Sequence, residues 1–161
     1  MPNMITCYIG VGANLGNAHH TVKTAITRLG EIPHCRLLGQ SNLFLSAPVD
    51  AGGDDFCNAV VELGTTLAPH ELLGALQQIE QDFGRERPYR NAPRTLDLDL
   101  LLYGNHKIQS DDLEVPHPRL HQRAFALKPL LQLCPGIELP GLGPGRSYLP
   151  AVSHQTISEI Y

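Results

Sequence analysis

The sequence is short of the features that mark membrane, zinc-binding and nucleic-acid-binding proteins. No stretch approaches the ~18 consecutive apolar residues of a membrane span, and the first residues do not form a secretion signal. Lys and Arg number 12 against 16 Asp and Glu, and this net charge of −4 argues against binding to nucleic acid or acidic membranes. The four cysteines form no CxxC pair, which favours reduced core thiols over a zinc site or disulfides. We therefore expect a cytoplasmic protein with neither membrane nor nucleic-acid partners.

The length and hydrophobic content fit one globular domain. A chain of 161 residues with 42% hydrophobic residues can bury a full core. We find no repeat, linker or low-complexity segment. The sequence thus predicts a single domain over residues 1–161, which we expect to be a monomer.

Basic charge is concentrated in one segment of this acidic chain. Residues 85–94 hold four arginines and one glutamate, which gives a local charge of +3. A solvated charged loop is the ordinary explanation of such a run. Guanidinium groups also bind phosphate oxygens bidentately, so the segment suits a small anion better than a long polyanion.

The next residues predict a strand that carries two acids on one face. Leu96, Leu98, Leu100 and Leu102 alternate with Asp97, Asp99 and Leu101, which is the period of a strand. The alternation places the four leucines on one face and both aspartates on the other, roughly 7 Å apart. A solvated strand face rarely sets two like charges side by side, whereas Mg²⁺ bound to phosphates takes one or two carboxylates.

Three further features are weaker. The glycine-rich segment 10–16 lacks the Gly-Lys-Ser/Thr ending of a P-loop and reads as a structural turn that keeps a strand end open. His117 lies between two prolines and near Arg119 and Arg123, so a structural role and a phosphate contact both remain open. Asn58 offers a donor and an acceptor to a flat heterocycle. Phe56 and Phe125, taken singly, are expected to be core residues rather than ligand contacts.

The order of elements predicts an α+β fold. Helical or strand periodicity appears in strand 5–11, helix 22–29, strand 37–45, strand 57–63, helix 69–84 and strand 96–103. This order is the ferredoxin-like split βαβ sandwich. Extra C-terminal elements follow: a helix over about 122–133, interrupted by Pro129, and an irregular tail from Pro135. Residues 46–55 and 85–93 are candidate mobile loops.

With these residues in view, the chain resembles the 6-hydroxymethyl-7,8-dihydropterin pyrophosphokinase family over about residues 5–131. The family signature is a basic residue, any residue, Gly or Ala, Pro, Arg, two free positions, then Asp-aliphatic-Asp-aliphatic-aliphatic. The chain matches it without a mismatch in Arg90-Asn91-Ala92-Pro93-Arg94-Thr95-Leu96-Asp97-Leu98-Asp99-Leu100-Leu101. Supporting matches lie at 12–16, 56–59, 115–119 and 123–125.

The resemblance implies transfer of pyrophosphate from ATP to the hydroxymethyl group of the dihydropterin, with release of AMP, in folate biosynthesis. It implies two Mg²⁺ ions held by Asp97 and Asp99, and catalytic roles for these two acids together with Arg85 and Arg94. It implies that ATP binds Gln77, Glu80, Arg87, Arg90, Leu100, His117 and Arg123. It implies that the pterin binds Ser46, Ala47, Val49, Phe56, Asn58 and Phe125.

Two other functions remain open from the residues alone. Ferredoxin-like sheets also serve as binding modules for RNA or small ligands, although a sheet-face aromatic motif such as Lys/Arg-Gly-Phe-Gly-Phe is missing here. A two-metal phosphohydrolase would also pair carboxylates.

Overall fold

The computed structural model describes residues 4–13, 18–46, 56–84 and 96–160. The predicted loop positions 47–55 and 85–93, together with Arg94, lie outside the described residues. The N-terminal part contains β1 (Ile5–Ala13), α1 (Ala18–Gly30), β2 (Cys35–Gln40), β3 (Leu43–Ser46), β4 (Phe56–Thr65), α2 (Pro69–Gly84) and β5 (Asp97–Tyr103). The remainder contains β6 (Ile108–Gln109), β7 (Glu114–Val115), a 3₁₀ helix (Leu120–Gln122), α3 (Ala124–Leu133), β8 (Glu138–Leu139), β9 (Gly143–Pro144), a 3₁₀ helix (Gly145–Tyr148), α4 (Leu149–Val152) and β10 (Ile157–Ile160).

The main sheet is antiparallel and is centred on β1 and β4. Its strand order is β10-β3-β4-β1-β5, and β2 also pairs with β4. The single strand expected over 37–45 is wrong, because β2 and β3 are separate strands that pair with successive parts of β4. Ser41 separates them: its Oγ accepts a hydrogen bond from Val60 N–H at 2.9 Å and donates one to the Asn42 carbonyl.

Helices cover both faces of this sheet. The predicted apolar faces of α1 and α2 are confirmed, since Val22, Leu29, Leu72 and Leu76 pack with one face of β1, β4 and β5. On the other face, α3 and the C-terminal segments pack through a second cluster that includes Leu130. None of the helices in the described ranges is both long enough and apolar enough to cross a bilayer.

A bulge in β5 changes the predicted alternation. Leu96, Leu98 and Leu100 share one apolar cluster as expected, but Leu102 belongs to the cluster on the opposite face. The pairing with β1 shifts between Leu100 and Leu102, which leaves Leu101 as the extra residue on β5. Because a bulge turns the following side chains to the opposite face, the strict alternation holds only as far as Leu100.

The tail is more regular than the sequence indicates. The expectation of an irregular segment from Pro135 is wrong, because β8 and β9 form a hairpin and β10 adds a strand to the main sheet, antiparallel to β3. Helix α3 begins at Ala124, two residues later than expected, and Pro129 lies inside it.

Candidate active site

Two glycines of β1 lie opposite the two acids of β5. Gly12 pairs with Asp97 on one side and with Asn58 of β4 on the other, while Gly10 pairs with Asp99. Residues paired across neighbouring strands point to the same face of a sheet. No side chain therefore stands between Asn58 and Asp97, and the sheet surface between them is open.

The close approach at Gly12 explains why this position has no side chain. A Cβ at Gly12 would lie 3.1 Å from Asn58 Oδ1, closer than ordinary van der Waals contact. The prediction that the glycine-rich segment forms a turn is wrong for Gly10 and Gly12, because both lie within β1. They keep the sheet surface open from inside the strand. Glycine inside a strand pattern is a known sign of such a close approach, so the sequence did carry this signal.

A cavity of about 190 Å³ lies above these glycines and joins the predicted metal, nucleotide and pterin residues. Its walls come from β1, β4, β5, the end of β3, the segment around His117 and the start of α3. The predicted site residues that line it are Ser46, Phe56, Asn58, Asp97, Asp99, His117, Arg123 and Phe125. Sequence reasoning missed Gly10, Gly12 and Leu101 as lining residues.

Asn58 is held in one orientation inside the cavity wall. Its side chain is 4% exposed, and its Nδ2 donates a hydrogen bond to Ser46 Oγ at 2.7 Å. A longer contact of 3.4 Å runs from Nδ2 to the Phe56 carbonyl. Because these contacts use the donor side of the amide, the orientation of Oδ1 toward the glycine row is fixed as well.

His117 is attached to the bulge of β5. Its backbone N–H donates to the Leu101 carbonyl at 2.9 Å, so the residue at the bulge fixes the segment that carries the histidine. Its Nδ1 accepts a hydrogen bond from the Arg119 N–H at 3.1 Å. With Nδ1 acting as an acceptor, the proton of the neutral ring lies on Nε2, which is the tautomer that can donate to a phosphate oxygen.

The charged groups around His117 shift its pKa in opposite directions. Burial lowers the pKa of His117, Asp99 raises it, and Arg123 and Arg119 lower it again. The imidazole is therefore neutral at neutral pH, and acidic and basic groups meet beside it. Such a mixture suits a ligand that carries both phosphate groups and a cation.

Three predicted nucleotide residues lie outside the cavity. Glu80 Oε2 accepts a hydrogen bond from the Leu98 N–H at 2.8 Å, which ties α2 to β5. Gln77 is exposed one turn earlier on α2. The Leu100 side chain is 4% exposed in the core, so any contact with a ligand would use its backbone. The predicted residues that lie outside the described part of the chain are Ala47, Val49, Arg85, Arg87, Arg90 and Arg94.

The acid pair has the donor chemistry for a hard divalent cation. Asp97 is exposed and Asp99 is half-buried, and both line the cavity. Within the described ranges, no group of three or more His, Cys, Asp or Glu side chains could hold a metal ion. Two carboxylates fit a cation whose other ligands are water and phosphate oxygens, which is the usual state of Mg²⁺ bound with a nucleotide.

The family model of 7,8-dihydro-6-hydroxymethylpterin-pyrophosphokinase (HPPK) matches residues 8–135. The chain belongs to the HPPK family. The 2-amino-4-hydroxy-6-hydroxymethyldihydropteridine pyrophosphokinase of Pseudomonas aeruginosa is 42% identical over 134 residues, which are 83% of each chain. The enzyme of the same name from Haemophilus influenzae is 38% identical over 138 residues, 85% of this chain and 86% of the relative. These relatives confirm the resemblance found from the signature.

Solved HPPK structures share the fold. Wild-type HPPK-DHPS of Plasmodium falciparum superposes with a TM-score of 0.74 at 15% identity over 93% of this chain. An HPPK-DHPS in complex with substrates gives a TM-score of 0.72 at 12% identity over 92% of this chain. This chain spans 45% and 43% of those longer chains. The likeness confirms a mixed α/β fold with an antiparallel sheet and helices. Membership of a family of ATP-using kinases separately implies a need for a divalent metal.

Proposed function

We propose that this protein transfers the pyrophosphoryl group of ATP to the hydroxymethyl oxygen of 6-hydroxymethyl-7,8-dihydropterin, in folate biosynthesis. The observation that carries the proposal is the cavity that joins an acid pair, a glycine row and the Asn58–Ser46 hydrogen bond within one small volume. Family membership supports the same reaction. The binding-module and phosphohydrolase alternatives have no comparable support.

The pterin half of the cavity is assigned to residues that recognise a flat heterocycle. Phe56, at the start of β4, and Phe125, near the start of α3, both line the cavity and offer aromatic side chains to a ligand. Aromatic side chains stack on flat ring systems. The fixed amide of Asn58 supplies an acceptor at the ring edge, and Ala47 and Val49 are also assigned to the pterin.

The nucleotide half is assigned to the acid pair and the basic groups. Asp97 and Asp99 would hold two Mg²⁺ ions together with the phosphates of ATP, and such ions would supply positive charge to the phosphates and to the alcohol. His117 donates from Nε2 to a phosphate oxygen, and Arg123 adds a positive charge. Arg85, Arg87, Arg90 and Arg94 are assigned to the phosphates of ATP. Gln77 and Glu80 of α2 and the backbone of Leu100 in β5 are assigned to the rest of the nucleotide.

The reaction follows from this alignment. The hydroxymethyl oxygen attacks the β-phosphorus, the bond from that phosphorus to the α–β bridging oxygen breaks, and AMP leaves. The hydroxyl proton passes to a carboxylate of the pair or to water. Most of the rate enhancement then comes from positioning and from neutralising phosphate charge.

Finer points of architecture belong to the same proposal. The order β5-β1-β4-β2, with α1 and α2 on one face, supports a ferredoxin-like core. We assign residues 1–161 to a single pyrophosphokinase domain that acts as a monomer in the cytoplasm.

The products of the reaction test this function. Incubation of the protein with Mg²⁺, ATP and the hydroxymethyldihydropterin should release AMP and pterin diphosphate in equal amounts. Formation of ADP, or ATP consumption that does not need the pterin, would contradict the proposal, and the latter would favour a phosphohydrolase.

Replacing either acid tests the metal assignment in the same assay. Asp97→Ala and Asp99→Ala should each lower turnover by about a hundredfold or more, because each removes charge stabilisation at the reacting phosphates. Asp111→Ala is the matched control, since Asp111 is an exposed acid outside the cavity. An active double variant would overturn the assignment.

A further inference from the structure

The side chain of a glutamine in the C-terminal segment forms two hydrogen bonds with the backbone at the start of α3. Gln155 Oε1 accepts a hydrogen bond from the Ala124 N–H at 2.8 Å. Gln155 Nε2 donates one to the Gln122 carbonyl, also at 2.8 Å. The two contacts fall on the residues immediately before and after Arg123, so one side chain fixes the backbone on both sides of that arginine.

This contact replaces a local helix cap. The first N–H groups of a helix have no partner within the helix and are usually satisfied by a polar side chain at the N-cap. The N-cap of α3 is Arg123, and among the described residues its side chain makes no capping hydrogen bond. Gln155 supplies the missing acceptor from 31 residues further along the chain.

The backbone held in this way carries two residues of the cavity. Arg123 and Phe125 both line it, and the Arg123 guanidinium lies 5.5 Å from the centre of the Phe125 ring. Side chains at the first turn of a helix move with the end of that helix. An uncapped and frayed start of α3 would therefore displace a proposed phosphate ligand and a proposed pterin-stacking ring together.

Residues on both sides of Gln155 in the chain hold it in place. Its N–H donates to the Val152 carbonyl at 3.0 Å, and Val152 is buried in an apolar cluster with Ala124 and Leu127. Two residues later, Ile157 pairs with Ser46, whose Oγ holds Asn58. The segment 152–157 thus joins the wall that carries Phe125 to the wall that carries Asn58.

We propose that Gln155 is a positioning residue for pyrophosphoryl transfer, which sets Arg123 and Phe125 at the cavity by capping α3. This inference rests on the proposed function. It assigns a role to the C-terminal segment, which lies beyond residues 8–135 matched by the family model.

Helix α3 offers a matched control at its other end. Gln132 is also a glutamine whose Oε1 accepts a long-range backbone hydrogen bond, from the Asn42 N–H at 2.6 Å. It does not line the cavity. Gln155→Ala and Gln132→Ala therefore each remove a side-chain-to-backbone contact of α3. Only the contact of Gln155 lies at the end of the helix that is next to the cavity.

The test measures binding of hydroxymethyldihydropterin by fluorescence titration, together with the thermal unfolding midpoint. We expect Gln155→Ala to weaken pterin binding about tenfold, because the cavity is no longer pre-formed, and Gln132→Ala to change it less than about twofold. Gln155→Glu keeps the acceptor for Ala124 and should give an affinity between those of the wild type and the alanine variant. Equal affinities of Gln155→Ala and Gln132→Ala at similar unfolding midpoints would overturn the inference.

Failure of the proposed function would look different. Wild-type protein that neither binds the pterin nor releases AMP would contradict the reaction but not the cap. Amide hydrogen exchange at Ala124 would then decide: faster exchange in Gln155→Ala than in Gln132→Ala supports the cap, and equal exchange overturns it.

Discussion

At the scale of single residues, His117 shows how backbone contacts select a chemical state. The Arg119 N–H occupies Nδ1, and burial favours the neutral ring. A neutral histidine with its proton on Nε2 can donate a hydrogen bond to a phosphate without adding a full charge. This role depends on the ring remaining unprotonated at neutral pH.

The lowered pKa of His117 predicts a pH-dependent stability. The unfolded chain protonates this histidine near its ordinary pKa of 6.5, whereas the folded protein takes up the proton at a lower pH. The unfolded state therefore binds more protons in that interval, and the contribution of His117 to folding is present above 6.5 and is lost as the pH falls.

Urea unfolding of the metal-free protein measures this effect. The stability of the wild type relative to His117→Gln should be greater at about pH 7.5 than at about pH 5.5, by the linkage between pKa and folding. A difference that is the same at both pH values, or larger at the lower one, would contradict the assigned shift.

Some features of the site residues can be predicted from the sequence, and others depend on contacts that the sequence does not show. The shared position of Asp97 and Asp99 on one strand face beside a cavity was predictable from their spacing. The tautomer of His117 was not, because it depends on the Arg119 N–H and on the bulge at Leu101. These contacts involve backbone groups, which every residue type carries, so the sequence does not predict them.

At the scale of elements, the glycine row of β1 is the feature that opens the site. Gly12→Ala would place a methyl group 3.1 Å from Asn58 Oδ1 and would force the amide to move against its bond to Ser46. We expect pterin binding to weaken about tenfold, the scale of one disturbed buried hydrogen bond. Titration with the hydroxymethyldihydropterin measures this loss.

Gly74→Ala is the matched control for that substitution. Gly74 lies on the exposed side of α2, and a Cβ there meets no atom within 4 Å. This variant should gain about 0.5–1 kcal/mol of stability and keep its pterin affinity, because alanine is the better helix former. Unchanged binding in Gly12→Ala would show that the close approach to Asn58 does not shape the site.

The elements themselves were predictable where the apolar period is long and regular. The faces of α1 and α2 and the early alternation of β5 are confirmed. The break between β2 and β3 and the bulge at Leu101 were missed. The first coincides with a hydrogen bond from the Val60 N–H to Ser41 Oγ, and the second is a one-residue shift in the pairing of β5 with β1. The residues around Ser41 and Leu101 do not show which distant residues they pair with.

At the scale of the whole molecule, the C-terminal segment supports two elements that carry cavity residues, β3 and α3. Its prolines and glycines suggested an irregular tail, yet β10 pairs with β3 and Gln155 caps α3. Both contacts join residues far apart in the chain, and short strands such as β10 have too few residues to show a period. The succession of helices and strands along the chain up to β5 was predictable apart from the break between β2 and β3, while the position of the tail on the sheet was not.

The proposed reaction requires the acid pair to hold metal-bound ATP beside the pterin. A crystal structure of the protein with a nonhydrolysable ATP analogue, the hydroxymethyldihydropterin and Mn²⁺ tests this directly through the anomalous signal of manganese. We predict manganese bound to carboxylate oxygens of both Asp97 and Asp99, the triphosphate beside His117 and Arg123, and the pterin between Phe56 and Phe125. Manganese and nucleotide bound elsewhere, with both acids directed to solvent, would contradict the account.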